Sequence, residues 1–254
     1  MATGFFTDPT LCIGCKACEV ACKEWNNLPA DNIGLTGQSF DNTGALSANT
    51  WRHVSFIERR VRDLDQAPFQ SGWLMMSDVC KHCANAGCLE ACPTGSIVRT
   101  EVGSVFVQPD VCNGCGYCVV TCPFGVIDRR PGDGRAFKCT LCYDRQRGGL
   151  IPACAKACPT QSIRFGDLAE LRSYADNRVA ELKHRGYEDA RLYTAEDTSV
   201  GGLHAFFLLL GEPETFGLPP APQVPTIFLR EAWLAALGAA SAVLALVCLA
   251  FWLT

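Results

Sequence analysis

Sixteen cysteines stand in four quartets, and their spacing limits the chemistry open to this chain. Cys12, Cys15, Cys18 and Cys22 read C-x2-C-x2-C-x3-C, and Cys112, Cys115, Cys118 and Cys122 repeat that spacing. Cys80, Cys83, Cys88 and Cys92 widen the middle gap, and in Cys139, Cys142, Cys154 and Cys158 eleven residues separate the middle pair. Pro93, Pro123 and Pro159 directly follow the last cysteine of three quartets. Thiolates are soft ligands that select iron–sulfur clusters or zinc over harder metals. A disulfide framework suits small secreted domains, and 254 residues are enough to bury a core without one. Zinc sites are usually two separate C-x2-C knuckles, without a third cysteine three residues on.

The run C-x2-C-x2-C-x3-C-P is that of bacterial ferredoxins, in which the fourth cysteine ligates the other cluster of a pair. Gly14, Gly114 and Gly116 are expected to let the backbone approach inorganic sulfur, and proline to end each helical turn. A second repeat, C-P-x-x-x-I at Cys92–Ile97, Cys122–Ile127 and Cys158–Ile163, predicts turns that feed short strands. Ile97–Arg99 and Val105–Val107 read as a β-hairpin, which joins the second and third quartets in one two-cluster unit. The first and fourth quartets then pair across the chain. Crossed ligation gives four sets: Cys12, Cys15, Cys18 with Cys158; Cys139, Cys142, Cys154 with Cys22; Cys80, Cys83, Cys88 with Cys122; and Cys112, Cys115, Cys118 with Cys92.

Four [4Fe–4S] clusters with four thiolates each leave no iron open to a substrate, so the expected role is a one-electron relay without catalysis of its own. Loading would add a charge of about −8, which demands backbone donors. Lys16, Lys23, Lys81, Lys138 and Lys156 lie near the motifs, and most are expected to be solvated. Lys plus Arg total 22 against 26 Asp plus Glu, a formal charge of −4 that disfavours nucleic-acid binding. With 48% hydrophobic and 19% charged residues the chain is not disordered.

These motifs need a scaffold, and an α+β class is expected: two pseudo-symmetric ferredoxin-like two-cluster lobes, a C-terminal extension and one transmembrane helix. Residues 1–22 and 139–165 form one lobe and 80–128 the other. Residues 23–79 are an insert, loop-like over 31–49, with a strand at Val54–Val61. In the extension, 166–218, Gly166–Gly186 predicts an amphipathic helix with Leu168, Leu171, Val179 and Leu182 at helical spacing. Leu203–Leu210 predicts an apolar strand, in which His204 is an ordinary histidine and not a ligand. Residues 219–231 form a stiff linker, and the Pro-rich run 218–225 leads into it. The last segment, 232–254, holds 22 uncharged residues from Ala232 to Leu253. At ~1.5 Å per residue these span about 33 Å, enough to cross a bilayer core of roughly 30 Å. Ala235, Gly238, Ala239, Ala242 and Ala245 suit close packing against another membrane helix, with Cys248 a packing residue. Arg230 by the charge rule points to a cytoplasmic soluble part. Residues 1–6 predict no independent export.

The register resembles the iron–sulfur subunits of molybdenum or tungsten bis-pterin oxidoreductases. The segments Cys12–Cys18, Ala21–Pro29, Arg178–Gly186, Gly201–His204 and Glu212–Pro219, with a single C-terminal span, are most similar to the β subunit of membrane-bound formate dehydrogenase. That resemblance implies a catalytic Mo/W bis-pterin α subunit that oxidises formate, and a membrane cytochrome b or quinone-reacting γ subunit that takes the electrons in anaerobic respiration. It implies that the first–fourth quartet lobe faces the catalytic partner and the second–third lobe the membrane. It also implies an inner-membrane location with the soluble part on the outer, periplasmic face, exported folded with a signal-bearing partner. Some relatives carry a basic tail after the span; here the sequence ends at Thr254. The competing readings are the same relay for nitrate, sulfoxide or a sulfur oxyanion, and a membrane-tethered zinc scaffold.

Overall fold

A computed structural model describes residues 2–31, 33–35, 37, 40–58 and 73–253. The fold is mixed α/β, and its main sheet is assembled from distant parts of the chain. β1 (Thr3–Thr7) pairs antiparallel with β8 (Ile163–Asp167) and parallel with β10 (Ala205–Leu210), which pairs antiparallel with β9 (Ala190–Tyr193). The N-terminal strand is thus central, with Thr7 opposite Ile163 on one side and Phe207 on the other. Successive side chains of a strand point to opposite faces. Phe6 therefore enters the core beneath the long helix, while Phe5 joins Ala205 and Ile163 against Cys18, Cys22, Cys139 and Cys154. Burying each such phenylalanine stabilises the fold by roughly 1.5–3 kcal/mol.

That long helix is Leu168–His184, with Leu171, Ala175 and Leu182 buried on one face and Leu168 and Val179 partly buried beside them. It starts two residues later than the periodicity suggests, because the Asp167 carboxylate accepts from Ala169 N at 2.9 Å and Glu170 N at 3.3 Å and caps it. Gly186, at φ 90°, follows its end.

β2 (Arg52–Glu58) pairs antiparallel with β3 (Trp73–Val79), placing Val54 opposite Ser77. The strand expected at 54–61 thus begins two residues earlier, and its final part lies outside the described residues. β4 (Ile97–Arg99) and β5 (Val105–Val107) form the expected hairpin, with Ile97 opposite Val107. Ile163 opens β8, and Ile127 stands one residue before β6 (Asp128–Arg129), which pairs with β7 (Ala136–Phe137). His204 is half-buried, its Nδ1 3.1 Å from the Thr3 carbonyl oxygen.

The C-terminal helix runs Leu229–Leu253 and is long and apolar enough to cross a membrane. It begins three residues before the uncharged stretch, since Arg230 and Glu231 are good helix formers. A 3-10 turn, Pro225–Phe228, leads into it and packs against the helical turn Gly87–Glu90.

Candidate metal centres

The first and third quartets share one local build. A 3-10 turn (Pro9–Leu11 or Pro109–Val111) delivers Cys12 or Cys112, and a left-handed residue (Lys16, φ 58°; Gly116, φ 80°) then turns the chain into a helix that bears Cys18 or Cys118. Gly14 and Gly114 also have positive φ, and the reason for glycine is protein packing: a Cβ would lie 2.9 Å from Phe56 Cε1 at one site and 2.7 Å from the Gly134 carbonyl oxygen at the other. In the second quartet, β3 delivers Cys80, and Cys88 and Cys92 lie on and just after the turn Gly87–Glu90. In the fourth, Cys142 opens the helix Tyr143–Arg147, Cys154 lies on Ala153–Ala157 and Cys158 caps it.

The quartets exchange their last members in space. Cys12, Cys15, Cys18 and Cys158 line one pocket, together with Val54, Ser77 and Ser162. Cys80, Cys83, Cys88 and Cys122 line another. The Cys22 thiol is pushed well above its ordinary value by burial and by the nearby Cys139, Cys154 and Cys142. Burial, followed by Cys112, Cys115 and Cys92, raises Cys118 to about 11. Cys248 lies apart, exposed on the C-terminal helix. Among the described residues no three Cys, His, Asp or Glu side chains converge on a single-ion geometry. The Cys12 set and the Cys80 set each line one shared pocket.

Residues 11–96 and 71–168 each match a 4Fe-4S dicluster domain family. The formate dehydrogenase iron–sulfur subunit of Haemophilus influenzae is 44% identical over 221 residues, covering 85% of this chain and 68% of that relative. The formate dehydrogenase-O iron–sulfur subunit of Escherichia coli (strain K12) is 43% identical over 242 residues, covering 92% and 78%. The chain belongs to the formate dehydrogenase iron–sulfur subunits. The B subunit of anaerobic dimethyl sulfoxide reductase from Escherichia coli (strain K12) is more distant, at 34% identity over 66% of this chain and 75% of its own length. As a member of this family, the subunit transfers electrons through [4Fe–4S] clusters in an oxidoreductase complex.

The electrostatics of this iron–sulfur subunit fit such groups. Arg52, Lys81 and Lys138 are at most 2% exposed, whereas Lys16 and Lys23 are half-buried and Lys156 exposed. The expectation that most of the motif lysines are solvated thus fails for Lys81 and Lys138. Lys81 is paired, its Nζ 2.5 Å from Asp78 Oδ1. Among the described residues neither Arg52 nor Lys138 has a carboxylate within 4 Å, and Arg52 Nε and Nη2 have no hydrogen-bond partner. An unpaired buried cation is strongly unfavourable, so the charge that offsets these two must come from elsewhere. Burial alone would lower their proton affinity; nearby sulfurs more than reverse this, from Cys154, Cys18, Cys139 and Cys22 for Arg52, and Cys80, Cys88 and Cys139 for Lys138.

As free thiols these sulfurs are neutral. Burial drives Cys18 to about 11 and Cys88 to about 12. Metal coordination deprotonates a thiol outright, and the resulting anions are the counter-charge that Arg52 and Lys138 lack. His82, fully buried, accepts from Val105 N through Nδ1 at 3.0 Å and so holds its proton on Nε2. Arg52 and His82 escaped the motif reading because no spacing rule flags a lone cation or histidine.

Proposed function

We propose that this subunit carries electrons one at a time through four [4Fe–4S] clusters held by the sixteen cysteines, from a formate-oxidising Mo/W bis-pterin catalytic partner to a membrane cytochrome b or quinone-reacting partner. The observation that bears most weight is the gathering of cysteines from different quartets around cavities. Bound there, a [4Fe–4S] cluster supplies reversible one-electron storage. The chain's own residues do the rest: thiolates hold, burial excludes water, and Ser77 and Ser96 place hydroxyls 3.3 and 3.1 Å from Cys18 and Cys92 sulfurs.

The sets form a line. Cys18 and Cys22 sit one turn apart on the helix Ala17–Trp25, linking the Cys12 set to the Cys22 set. Cys139 and Cys80 are close enough that, after burial, Cys80 is the largest influence on the Cys139 thiol, linking the Cys22 set to the Cys80 set. The hairpin β4–β5 links the Cys80 set to the Cys112 set. Cys15 and Cys115, one in each terminal set, are exposed. The turn ahead of the C-terminal helix packs on Gly87–Glu90, beside Cys88. This supports a second–third quartet lobe (80–128) toward the membrane and a first–fourth quartet lobe (1–22 with 139–165) toward the catalytic partner. On this reading the C-terminal helix crosses the inner membrane, with the soluble part on the outer face that the resemblance implies.

Isolation from membranes under anaerobic conditions tests this reading. Brown material with about sixteen irons per chain, a paramagnetic signal that formate induces, and a co-purifying formate-active partner are expected. Colourless, zinc-loaded protein would overturn it, and a nitrate- or sulfoxide-active partner would replace its substrate.

A further inference from the structure

We infer that Arg52 and Lys138 are fixed cations at the two inner joints of the electron path, each raising the reduction potentials of the sets on both sides of it. This rests on the relay reading above. Arg52 Nη1 donates to Ser77 Oγ at 3.0 Å, and that hydroxyl lies 3.3 Å from Cys18 Sγ, in the Cys12 set. Among the described residues its Nε and Nη2 have no acceptor, and the guanidinium lies near Cys22, Cys139 and Cys154 of the next set. Lys138 Nζ donates to the carbonyl oxygens of Val105 and Cys139, the latter at 3.1 Å, and lies near the sulfur of Cys80. It also lines the cavity of the Cys80 set. One cation thus lies between the first and second sets of the line, and the other between the second and third.

The physical consequence has a definite sign. Each one-electron reduction adds one negative charge to a set, and a nearby buried cation stabilises the reduced form more than the oxidised form. Lys81 lines the same cavity but already has the Asp78 carboxylate, which largely cancels its field. Arg52 and Lys138 have no such partner, so their full charge acts on the sulfur sets. An electron entering a joint is stabilised by a charge that does not move, and the second set of the line feels both.

The test is a mediated redox titration, followed by paramagnetic resonance, on the anaerobically purified complex. Four one-electron potentials are read for the wild type, Arg52→Gln, Lys138→Gln and Arg52→Lys. Each neutral variant is expected to lower two potentials by about tenfold in the reduction equilibrium, 59 mV for one electron. One potential falls in both variants, and one falls in neither. Arg52→Lys restores the wild-type values. This pattern is readable without assigning any signal beforehand. No shift, an equal shift of all four potentials, or two pairs with no common member would overturn the inference. If one neutral variant fails to retain iron, the other decides by moving two potentials and not four. Iron loss in both overturns the inference in favour of a role in assembly alone. Absence of reducible iron signals in the wild-type complex would sink the relay reading itself, an outcome distinct from these.

Discussion

The hydroxyl oxygen of Ser96 lies 3.1 Å from the sulfur of Cys92. Burial would raise this thiol, but the Ser96 hydroxyl, then Thr94 at 3.7 Å, overcome it and bring Cys92 down to about 7. A donor that stabilises a thiolate also stabilises added negative charge on a group the thiolate holds. A hydrogen bond is worth about 1 kcal/mol net. Ser96→Ala is therefore expected to lower one of the four potentials by tens of millivolts, on the scale of ~59 mV per tenfold. A redox titration that leaves all four in place would remove this role.

Acid sensitivity should trace in part to two histidines. Burial, followed by Lys138, holds His82 well below the ordinary histidine value. Burial also lowers His204, against the opposing Thr3 hydrogen bond. The unfolded chain binds these protons near pH 6.5, whereas the folded chain does not. Their contribution is therefore complete above that pH and is lost as pH falls below it. Melting midpoints of the wild type should drop from pH 6.5 to about 5.5, and those of His204→Asn should drop less. Parallel declines would clear His204 of the effect.

Asp8 anchors the turn that delivers Cys12. Its carboxylate accepts from Thr10 N at 2.9 Å and from Arg178 Nε at 2.9 Å, and the side chain is 2% exposed. Asp8→Ala removes one of the two carboxylates paired with the mostly buried Arg178 guanidinium, leaving Glu181, at a cost of about 1–3 kcal/mol. Denaturant unfolding reads the loss, and iron analysis should show that the variant is depleted in the Cys12 set.

Gly114→Ala combines a left-handed backbone, at φ 73°, with a Cβ 2.7 Å from the Gly134 carbonyl oxygen. A cost on the order of 1–3 kcal/mol is expected from the backbone alone. Unchanged denaturant stability would show that the turn relaxes around the added methyl.

Membrane attachment should depend on the C-terminal helix alone, provided the cut is placed correctly. Val224 is 1% exposed and Thr226 donates to Glu90, so truncation must follow Phe228. A chain ending there, produced without partners, is expected in the soluble fraction with its iron retained. Recovery in the membrane fraction would point to a second means of attachment.

The cysteine register and the β4–β5 hairpin were readable because both are local: spacing fixes what one turn can present, and Glu101-Val102-Gly103-Ser104 closes a short loop between apolar strands. The apolar strand at Ala205–Leu210 was equally plain. Its parallel neighbour Thr3–Thr7 was not, because a five-residue strand with two glycine or threonine ends has no periodic signature and owes its place to partners far along the chain. Arg52 was invisible for the same reason. Its burial depends on Ser77 in a different strand and on sulfurs from two quartets far apart in the chain.

The proposed exchange of Cys22 with Cys158 between sites has a consequence for how this polypeptide matures. Nearly half of the chain lies between Cys22 and Cys139, and at ~5–20 residues per second the ribosome needs on the order of ten seconds to cover it. The inner hairpin unit has all its ligands long before the outer pair does. Until Cys158 emerges, the first-made cysteines wait exposed and incomplete, so nascent chains arrested before Cys139 should hold two metal groups at most.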